Sequence, residues 1–266
     1  MGQLPGVFKA TKKNGEPYYR ASITYKQKHI SIGSFPSPEA ANEAYQEAAH
    51  LLHTPALTVE HYQKQNTIPF EKWVSLANFR DNGIYCKTPI YILSHFFLYY
   101  FSPEESYKFD VDDLFYYSKH KIQRRGNHLF VADYGMQVNI LNRYGIKNFA
   151  VQGRDYLFVN GDPTDFRYRN IKIINKYHGI QQIEERGQFF YQAKIHINGD
   201  YLIGTYSTEA EAAVAYNKAA NLLMAQGVKK NFPKNYVLEL DEISYSSLYH
   251  KVPISKSIRY FSTEEK

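Results

Sequence analysis

Two stretches of the chain, one near each end, alternate apolar and polar residues with the period of two that is typical of a β-strand. Residues 19–26 read YRASITYK, and residues 191–198 read YQAKIHIN. In both stretches the apolar side chains fall on one face and the polar or cationic ones on the other. This pattern indicates a strand in an antiparallel sheet that is covered on one face only.

The alternating stretches are the central parts of an internal repeat, which covers residues 6–53 and 179–224. The two copies share an Ala-x-Ile sequence in the alternating stretch, an Ile-Gly pair after it and an Ala-Tyr pair further on. Turn sequences divide the copies into short strands: Asn14-Gly15, Lys26 to Lys28, Arg186-Gly187 and Asn198-Gly199. Each copy is therefore predicted to form a three-stranded antiparallel sheet.

A helix is predicted after the third strand of each copy, with Ser37 and Ser207 as the N-caps. Glu39 and Glu209 would lie in the first turn, where the helix dipole favours an acidic side chain. Alanines recur on one face of each helix, which allows a close approach to the apolar face of the sheet. The opposite face of the sheet would then remain polar and open.

The chain carries 32 lysine and arginine residues against 26 aspartate and glutamate residues, a formal net charge of +6. This balance favours an anionic partner, of which nucleic acid is the commonest. With Cys86 as the one cysteine, no intramolecular disulfide and no cysteine-based zinc site can form, and the ten histidines lack metal-ligand spacing. Residues 1–13 lack the apolar core of a signal peptide, and the apolar run 90–101 is too short for a bilayer. We therefore expect a cytoplasmic protein with no membrane partner, no metal and no cofactor.

The open polar faces are predicted to bind double-stranded DNA. A small sheet can enter the major groove, where base edges carry a distinctive donor and acceptor pattern, while lysine and arginine neutralise phosphates. The residues assigned to this role are Lys9, Lys12, Lys13, Arg20, Ser22, Thr24, Lys26, Lys28, Ser31, Gln181, Arg186, Gln192, Lys194, His196 and Asn198. The alternative is a solvated polar face without a ligand. No small-molecule ligand is indicated, and the sequence leaves the oligomeric state open.

Both copies resemble the plant ethylene-responsive-factor, or Apetala, DNA-binding domain and its bacterial relatives. The resemblance rests on Gly-Val or Gly-Ile at strand one, Ala-x-Ile in strand two, Ile-Gly-Ser-Phe or Ile-Gly-Thr-Tyr in strand three, and the alanine-rich helix. It implies binding of duplex DNA through the three-stranded sheet. The residues with which the plant family reads bases are replaced here, at Phe8, Ala10, Ser31, Gln181, Ile183 and Leu202. The resemblance therefore implies the fold of the plant domain more strongly than it implies the DNA sequence that the plant domain recognises.

The middle of the chain, residues 109–175, resembles the H-N-H homing endonucleases, which commonly carry an appended module of the kind just described. The resemblance rests on an acidic stretch within residues 110–122, on Leu141-Asn142-Arg143, on LFVNGD at 157–162 and on DFRYRNIK at 165–172. It implies a ββα fold in which one side chain holds a divalent metal and a neighbouring histidine takes a proton from water. Leu157 and Phe158 stand at those two positions and can do neither, and Asn142 replaces another histidine. We therefore predict a retained fold without catalytic residues.

The sequence thus predicts an α+β protein in which two modules, each a three-stranded antiparallel sheet plus a helix, flank a degenerate, H-N-H-like ββα middle domain. The predicted domains are residues 1–62, 63–176 with the H-N-H-like part at 109–175, 177–240, and a C-terminal tail at 241–266. The predicted function is sequence-specific DNA binding by a bacterial transcription regulator that derives from a homing endonuclease and is not an enzyme. Two alternatives stay open. One is an active H-N-H endonuclease with a displaced histidine such as His120 or His128, and the other is a structural or inhibitory nucleic-acid-binding protein.

Overall fold

The computed structural model describes residues 4–262, and over this range the chain is a mixed α+β protein, as predicted. Within the described range the strands form four antiparallel sheets of three strands and one of two strands. The chain divides into two compact units. The first comprises the residues up to Ile140 together with Asp162–Asn170, and the second comprises Leu141–Gly161 together with the residues from Ile171 onward.

The first unit opens with the three strands and the helix that the sequence predicts. Strands β1 (Val7–Thr11), β2 (Pro17–Tyr25) and β3 (Lys28–Phe35) pair antiparallel in the order β1-β2-β3, and helix α1 (Pro38–His53) follows. Ser37 is the N-cap of α1, since its Oγ accepts a hydrogen bond of 3.1 Å from the backbone amide three residues later. The prediction for the first copy of the repeat is confirmed in its elements and in this cap.

Alanine residues bring α1 close to the sheet. Ala41, Ala44 and Ala48 on the helix are completely buried, and so is Ala21 in β2. Because alanine has no side chain beyond Cβ, the helix and the sheet can approach closely without strained rotamers. Larger side chains from the strands fill the remaining volume, namely Ile23, Ile30 and Ile32.

The hydrophobic core of this module extends beyond the predicted boundary at residue 62. Helix α2 (Phe70–Asn82) contributes buried side chains to the same core, including Trp73, Val74, Leu76, Ala77 and Phe79. Nη1 of the buried Arg80 donates hydrogen bonds to three carbonyl oxygens at and beyond the end of α1. The acceptors are Leu51 at 2.9 Å, Thr54 at 2.8 Å and Leu57 at 2.7 Å. The last carbonyls of a helix lack helical partners, so α2 supplies the donor that α1 needs.

The remainder of the first unit contains two further three-stranded antiparallel sheets and the short helix α3. Their elements are β4 (Ile90–Ile92), β5 (Phe96–Ser102), β6 (Glu105–Asp110), α3 (Leu114–Tyr117), β7 (Ile122–Arg125), β8 (His128–Asp133) and β9 (Met136–Asn139). Aromatic rings hold this part together. The Phe109 ring is stacked on that of Phe97, with centroids 5.5 Å apart, and on that of Phe166, at 5.4 Å. Phe166 thereby fastens the segment Asp162–Asn170 to β6.

The second unit contains a two-stranded ribbon in which β10 (Tyr156–Phe158) pairs antiparallel with β11 (Ile171–Ile173). These are two of the three elements that a ββα fold needs. Residues 174–179 then lead directly into the next strand without forming a helix. The predicted ββα order is therefore not completed at this place, because the chain continues straight into the second copy of the repeat.

The second copy forms strands β12 (Ile180–Glu185), β13 (Gln188–His196) and β14 (Asp200–Tyr206), followed by helix α4 (Glu209–Ala225). The predicted three strands and helix are confirmed, but the predicted N-cap is wrong by one residue. The Thr208 side chain, not that of Ser207, accepts a 3.1 Å hydrogen bond from the Glu211 amide.

The Glu211 carboxylate determines which residue is the N-cap of α4. It accepts hydrogen bonds from the Thr208 amide at 3.2 Å and from the Ser207 amide at 3.1 Å. A capping box requires the glutamate to stand three residues after the N-cap, and Thr208 meets this spacing whereas Ser207 does not.

The segment predicted as a separate tail is part of the second hydrophobic core. Helices α5 (Glu242–Lys251) and α6 (Lys256–Arg259) follow α4, and Val252, Ile254 and Ile258 are buried in the cluster that also holds the α4 alanines. The Tyr206 hydroxyl donates to the Pro253 carbonyl oxygen over 2.7 Å. Helix α4 is therefore buried on more than one side, by β12–β14 and by the C-terminal segment.

The other helical segments are short stretches of 3-10 helix at Val59–His61, Val111–Asp113, Ile140–Tyr144 and Tyr168–Asn170. The longest helix is α4, with 17 residues. Across residues 4–262, no helix combines the length and the apolar character that are needed to cross a membrane.

Candidate nucleic-acid interface

In each copy of the repeat the helix packs on one face of the sheet. Ala21 and Ala193, in the central strands, are completely buried, whereas their neighbours Arg20 and Lys194 are exposed. We call the face that carries Arg20 in the first copy and Lys194 in the second copy the open face. Because directly paired residues of antiparallel strands project to the same side, the strand register identifies its other members.

Two of the predicted residues, Arg20 and Thr24, lie on the open face of the first copy. Arg20 pairs with Phe8 in β1, and Thr24 pairs with His29 in β3. Nη2 of Arg20 donates a 2.6 Å hydrogen bond to the Tyr18 hydroxyl, and the guanidinium carbon is 5.4 Å from the centroid of the Tyr18 ring. These contacts hold the one arginine of this face in place beside the ring.

A β-bulge occurs at the same position of the central strand in both copies. The register shifts between Ala21 and Ser22 in the first copy and between Ala193 and Lys194 in the second. A bulge re-aims the side chains next to it. Ser22, which pairs with Ser31, is only 8% exposed, and its Oγ has no hydrogen-bond partner within residues 4–262. Ser22 and Lys194 therefore occupy equivalent positions with different access to a ligand.

Lys9, Lys12 and Lys13 do not lie on the open face. Lys9 pairs with Tyr19, which packs against the core under α1, so strand alternation puts Lys9 on the side opposite Arg20. Lys12 and Lys13 are in the turn between β1 and β2. The Nζ of Lys12 forms an exposed ion pair of 3.0 Å with Glu16 in that turn. The turn lysines thus lie at one end of the sheet.

Lys26 and Lys28 are engaged elsewhere in the first unit. The Nζ of Lys26 donates a 3.0 Å hydrogen bond to the carbonyl oxygen of Arg80, near the end of α2. The Nζ of Lys28 is 5.4 Å from the centroid of the Tyr85 ring. Lys28 also pairs with Tyr25, whose ring packs against the core, so it is on the covered side of the sheet. The sequence could not indicate this, because α2 is distant along the chain.

The open face of the second copy brings together most of the residues that the sequence predicts for it, namely Gln181, Gln192, Lys194 and His196. Gln181 and Gln192 are directly paired across β12 and β13. The Nδ1 atom of His196 lies 2.7 Å from Oδ1 of Asp200. Arg186 is at the tip of the β12–β13 turn with a φ of 52°, and Asn198 is in the turn between β13 and β14.

The strand-one positions at which the plant family carries arginines do lie on the open faces. They have apolar or amide side chains here, and Phe8 is 50% exposed. Ala10 pairs with Tyr18 in the first copy, and Ile183 pairs with Phe190 in the second. Next to the Phe8–Arg20 and Gln181–Gln192 pairs, toward the turn between the first two strands of each copy, the open face therefore offers aromatic and apolar contacts.

A pocket of about 260 Å³ lies on the open face of the second copy. Gln181, Gln192 and Lys194 line one side of it, and Phe149 and Arg154 line another. The latter two belong to the segment that leads into β10, in the same compact unit. The sequence analysis did not assign either residue, since no periodic pattern or motif marks this segment.

Arg154 is held at this pocket by its neighbour Asp155. Nε and Nη2 of Arg154 donate to the Asp155 carboxylate, the latter over 2.6 Å, and Asn175 Nδ2 donates to the same carboxylate over 3.0 Å. Burial acts to raise the pKa of Asp155, but the hydrogen bonds from Arg154, the Val151 amide and Asn175 lower it below its usual value. Burial, followed by the nearby Arg154 charge, lowers the pKa of His178, so this ring is neutral at pH 7.

Searches with protein-family models, among curated proteins and among solved structures find no match to this chain.

The two positions at which the H-N-H resemblance places catalytic groups lie in β10. Phe158 is buried and pairs with Ile171, and Leu157 pairs with Lys172. Within the described range, no group of three or more histidine, cysteine, aspartate or glutamate residues could hold a metal ion.

The histidines considered as displaced catalytic groups are in the first unit. His120 has its ring stacked on Tyr116, with centroids 4.2 Å apart, and its Nε2 lies 3.7 Å from Oδ1 of Asp133. His128 is exposed at the beginning of β8. Within residues 4–262, His120 has a carboxylate beside it and His128 does not.

Proposed function

We propose that the chain is a sequence-specific DNA-binding protein that binds the duplex through the open faces of its two repeat sheets. The observation that carries the proposal is the shared geometry of the two copies. Both have the same strand order, the same bulge in the central strand and a helix on one face only. In both, the uncovered face presents polar and cationic side chains.

The chemistry of these faces suits the major groove. Amide side chains such as Gln181 and Gln192 can donate to and accept from one base edge, and Arg20 can donate two hydrogen bonds to guanine. In this proposal Lys12 and Lys13, in the turn between β1 and β2, contact phosphates, which supply affinity without sequence information. Two modules in one chain also raise the effective concentration of the second contact once the first has formed.

The role we propose for this binding is transcription regulation without catalysis. The residues at the positions of the H-N-H metal ligand and general base are Leu157 and Phe158, which have neither a metal-binding lone pair nor a titratable proton. The resemblance of residues 109–175 to the homing endonucleases then reflects descent from a nuclease.

One observation favours a second candidate function, an active nuclease that uses a displaced histidine. Asp133 lies beside His120, and a carboxylate in this position can orient an imidazole for proton transfer. Cleavage of plasmid DNA in the presence of Mg²⁺ or Mn²⁺, lost in His120→Ala, would establish this function and contradict the proposal of a regulator without catalysis.

The proposed DNA binding is tested by selecting bound sequences from random duplexes with the full chain and then measuring affinity at several salt concentrations. Arg20→Gln and Lys194→Gln should each lower the affinity for the selected duplex about tenfold, the loss expected of one good base or phosphate contact. The matched control is Lys9→Gln, which removes the same charge from the other side of the first sheet. Its affinity should stay within about twofold of the starting protein.

Two results would contradict the proposal. The first is a chain that does not bind duplex DNA at low ionic strength, where phosphate contacts are strongest. The second is an equal effect of Arg20→Gln and Lys9→Gln, since the open face would then have no special part in binding.

A further inference from the structure

The pocket on the open face of the second copy has a feature that a flat DNA-binding surface does not need. It is concave, with a volume of about 260 Å³, and its far wall, which includes Phe149, comes from outside the sheet. We propose that this pocket binds a single unpaired base of the DNA to which the protein is bound. The inference rests on the proposed DNA binding and specifies what the second copy adds to it.

The polar side chains of the pocket match the edge of a base. Gln181 and Gln192 face each other across β12 and β13, and both line the pocket. Within the described residues, neither side-chain amide has a hydrogen-bond partner, and the same holds for the Nζ atom of Lys194. Glutamine can form two hydrogen bonds with the N6 and N7 atoms of adenine. Three adjacent unpartnered groups therefore offer donors and acceptors to one small planar ligand.

The charge of the pocket favours a base over a phosphate group. Arg154 is neutralised by its hydrogen-bonded partner Asp155. The lining holds one further carboxylate, that of Asp200 beside His196, and one further cation, Lys194. His178 is neutral at pH 7 because burial lowers its pKa. The lining is therefore close to electrically neutral. Proteins that bind phosphate use an excess of cations or of aligned backbone amides, whereas a neutral base needs neither.

The far wall supplies surfaces on which a base can stack. The Phe149 ring is half-buried and meets the His178 ring edge to face, with centroids 4.8 Å apart. The Arg154 guanidinium is fixed by two of its nitrogen atoms on Asp155. Proteins commonly stack unpaired bases on aromatic rings and on guanidinium planes, and they read the exposed edge by hydrogen bonds.

Gly179, directly before β12, is at a position that only glycine fits. It lines the pocket, and its carbonyl oxygen accepts a 2.8 Å hydrogen bond from the amide of Lys194. A Cβ atom at this position would lie 2.5 Å from the Lys194 carbonyl oxygen and 2.5 Å from a ring carbon of the buried Tyr216, so the backbone packs closely here. The first copy lacks this pair of amides. Phe8 and Arg20 occupy the positions that correspond to Gln181 and Gln192.

The experiment compares two duplexes with the same flanking sequence, one fully paired and one with a single unpaired adenine, in binding titrations with the full chain. The protein should bind the duplex with the unpaired base roughly tenfold more tightly, the gain expected of one two-point base contact. Phe149→Leu should lose this preference and keep its affinity for the paired duplex, which also shows that it is folded. Phe149→Tyr, which retains a ring, should keep the preference, as should Phe8→Leu in the first copy.

Each outcome decides between the proposals. Equal binding of the two duplexes by the unchanged protein overturns the base pocket and leaves DNA binding intact. A preference that persists in Phe149→Leu also overturns it, since the base would then bind elsewhere. Failure to bind either duplex at low ionic strength overturns the proposed function and the pocket together.

Discussion

Replacement of Arg80 by methionine should lower the free energy of unfolding of the first unit by about 3–5 kcal/mol, the cost of breaking a buried charged contact. The guanidinium donates to three carbonyl oxygens between 2.7 and 2.9 Å away, at Leu51, Thr54 and Leu57, and forms an ion pair with Asp81. Methionine retains most of the apolar stem but no donor. Each lost hydrogen bond from a charged group is worth about 1.5–3 kcal/mol, and water can restore only part of that sum.

The single tryptophan of the chain makes the measurement selective for this unit. Trp73 lies in α2, is 4% exposed, and its indole N–H donates a 3.1 Å hydrogen bond to the Thr58 carbonyl oxygen. Its fluorescence should shift to longer wavelength when the unit unfolds in urea. The midpoints of the two proteins, taken with a common dependence on urea, give the difference in stability.

Arg125→Met is the matched control, because Arg125 is exposed at the end of β7. Its effect should stay within about 0.5 kcal/mol, as is usual for surface substitutions. A loss below about 1 kcal/mol for Arg80→Met would refute the reasoning. It would mean that the end of α1 does not depend on α2, and that the first module could end near residue 62 after all.

Two further predictions concern a glycine and a carboxylate. Gly179→Ala should cost about 3 kcal/mol or more, because its φ of 74° is left-handed and the new Cβ would meet a backbone oxygen at 2.5 Å. In Gly187→Ala the φ of 77° is similar but no atom lies within 4 Å, so only the roughly 1–2 kcal/mol of backbone strain should appear in thermal unfolding. Hydrogen bonds from Thr164 and then Lys108 lower the pKa of Asp162 to about 2. Its contribution to stability should therefore be complete above pH 4 and vanish as the pH falls through 2, so Asp162→Asn should differ from the unchanged protein at pH 6 but not near pH 2 in urea unfolding. If the two proteins differ in stability by the same amount at pH 6 and near pH 2, the lowered pKa of Asp162 is contradicted.

The amino-acid sequence by itself determined the elements of the two repeat copies. Alternation of apolar and polar residues, short turn sequences and alanine periodicity are local signals, because they depend on residues that are near each other in the chain. They predicted β1–β3, β12–β14 and the two helices, and they placed Arg20, Gln192 and Lys194 on the open faces. The error at the second N-cap was also local, since Ser207 and Thr208 are adjacent candidates and only the Glu211 carboxylate chooses between them.

The tertiary structure decided everything that depends on segments distant along the chain. It placed α2 in the core of the first module and the C-terminal segment in the core of the second. The two cores therefore extend past the predicted boundaries at residues 62 and 240. It directed Lys26 toward the end of α2, and it set Phe149 and Arg154 beside the open face of the second copy. The physical reason is that burial and long-range hydrogen bonds select partners by proximity in space. A pattern of spacing along one strand specifies which face a side chain occupies, but not what the rest of the chain brings to that face.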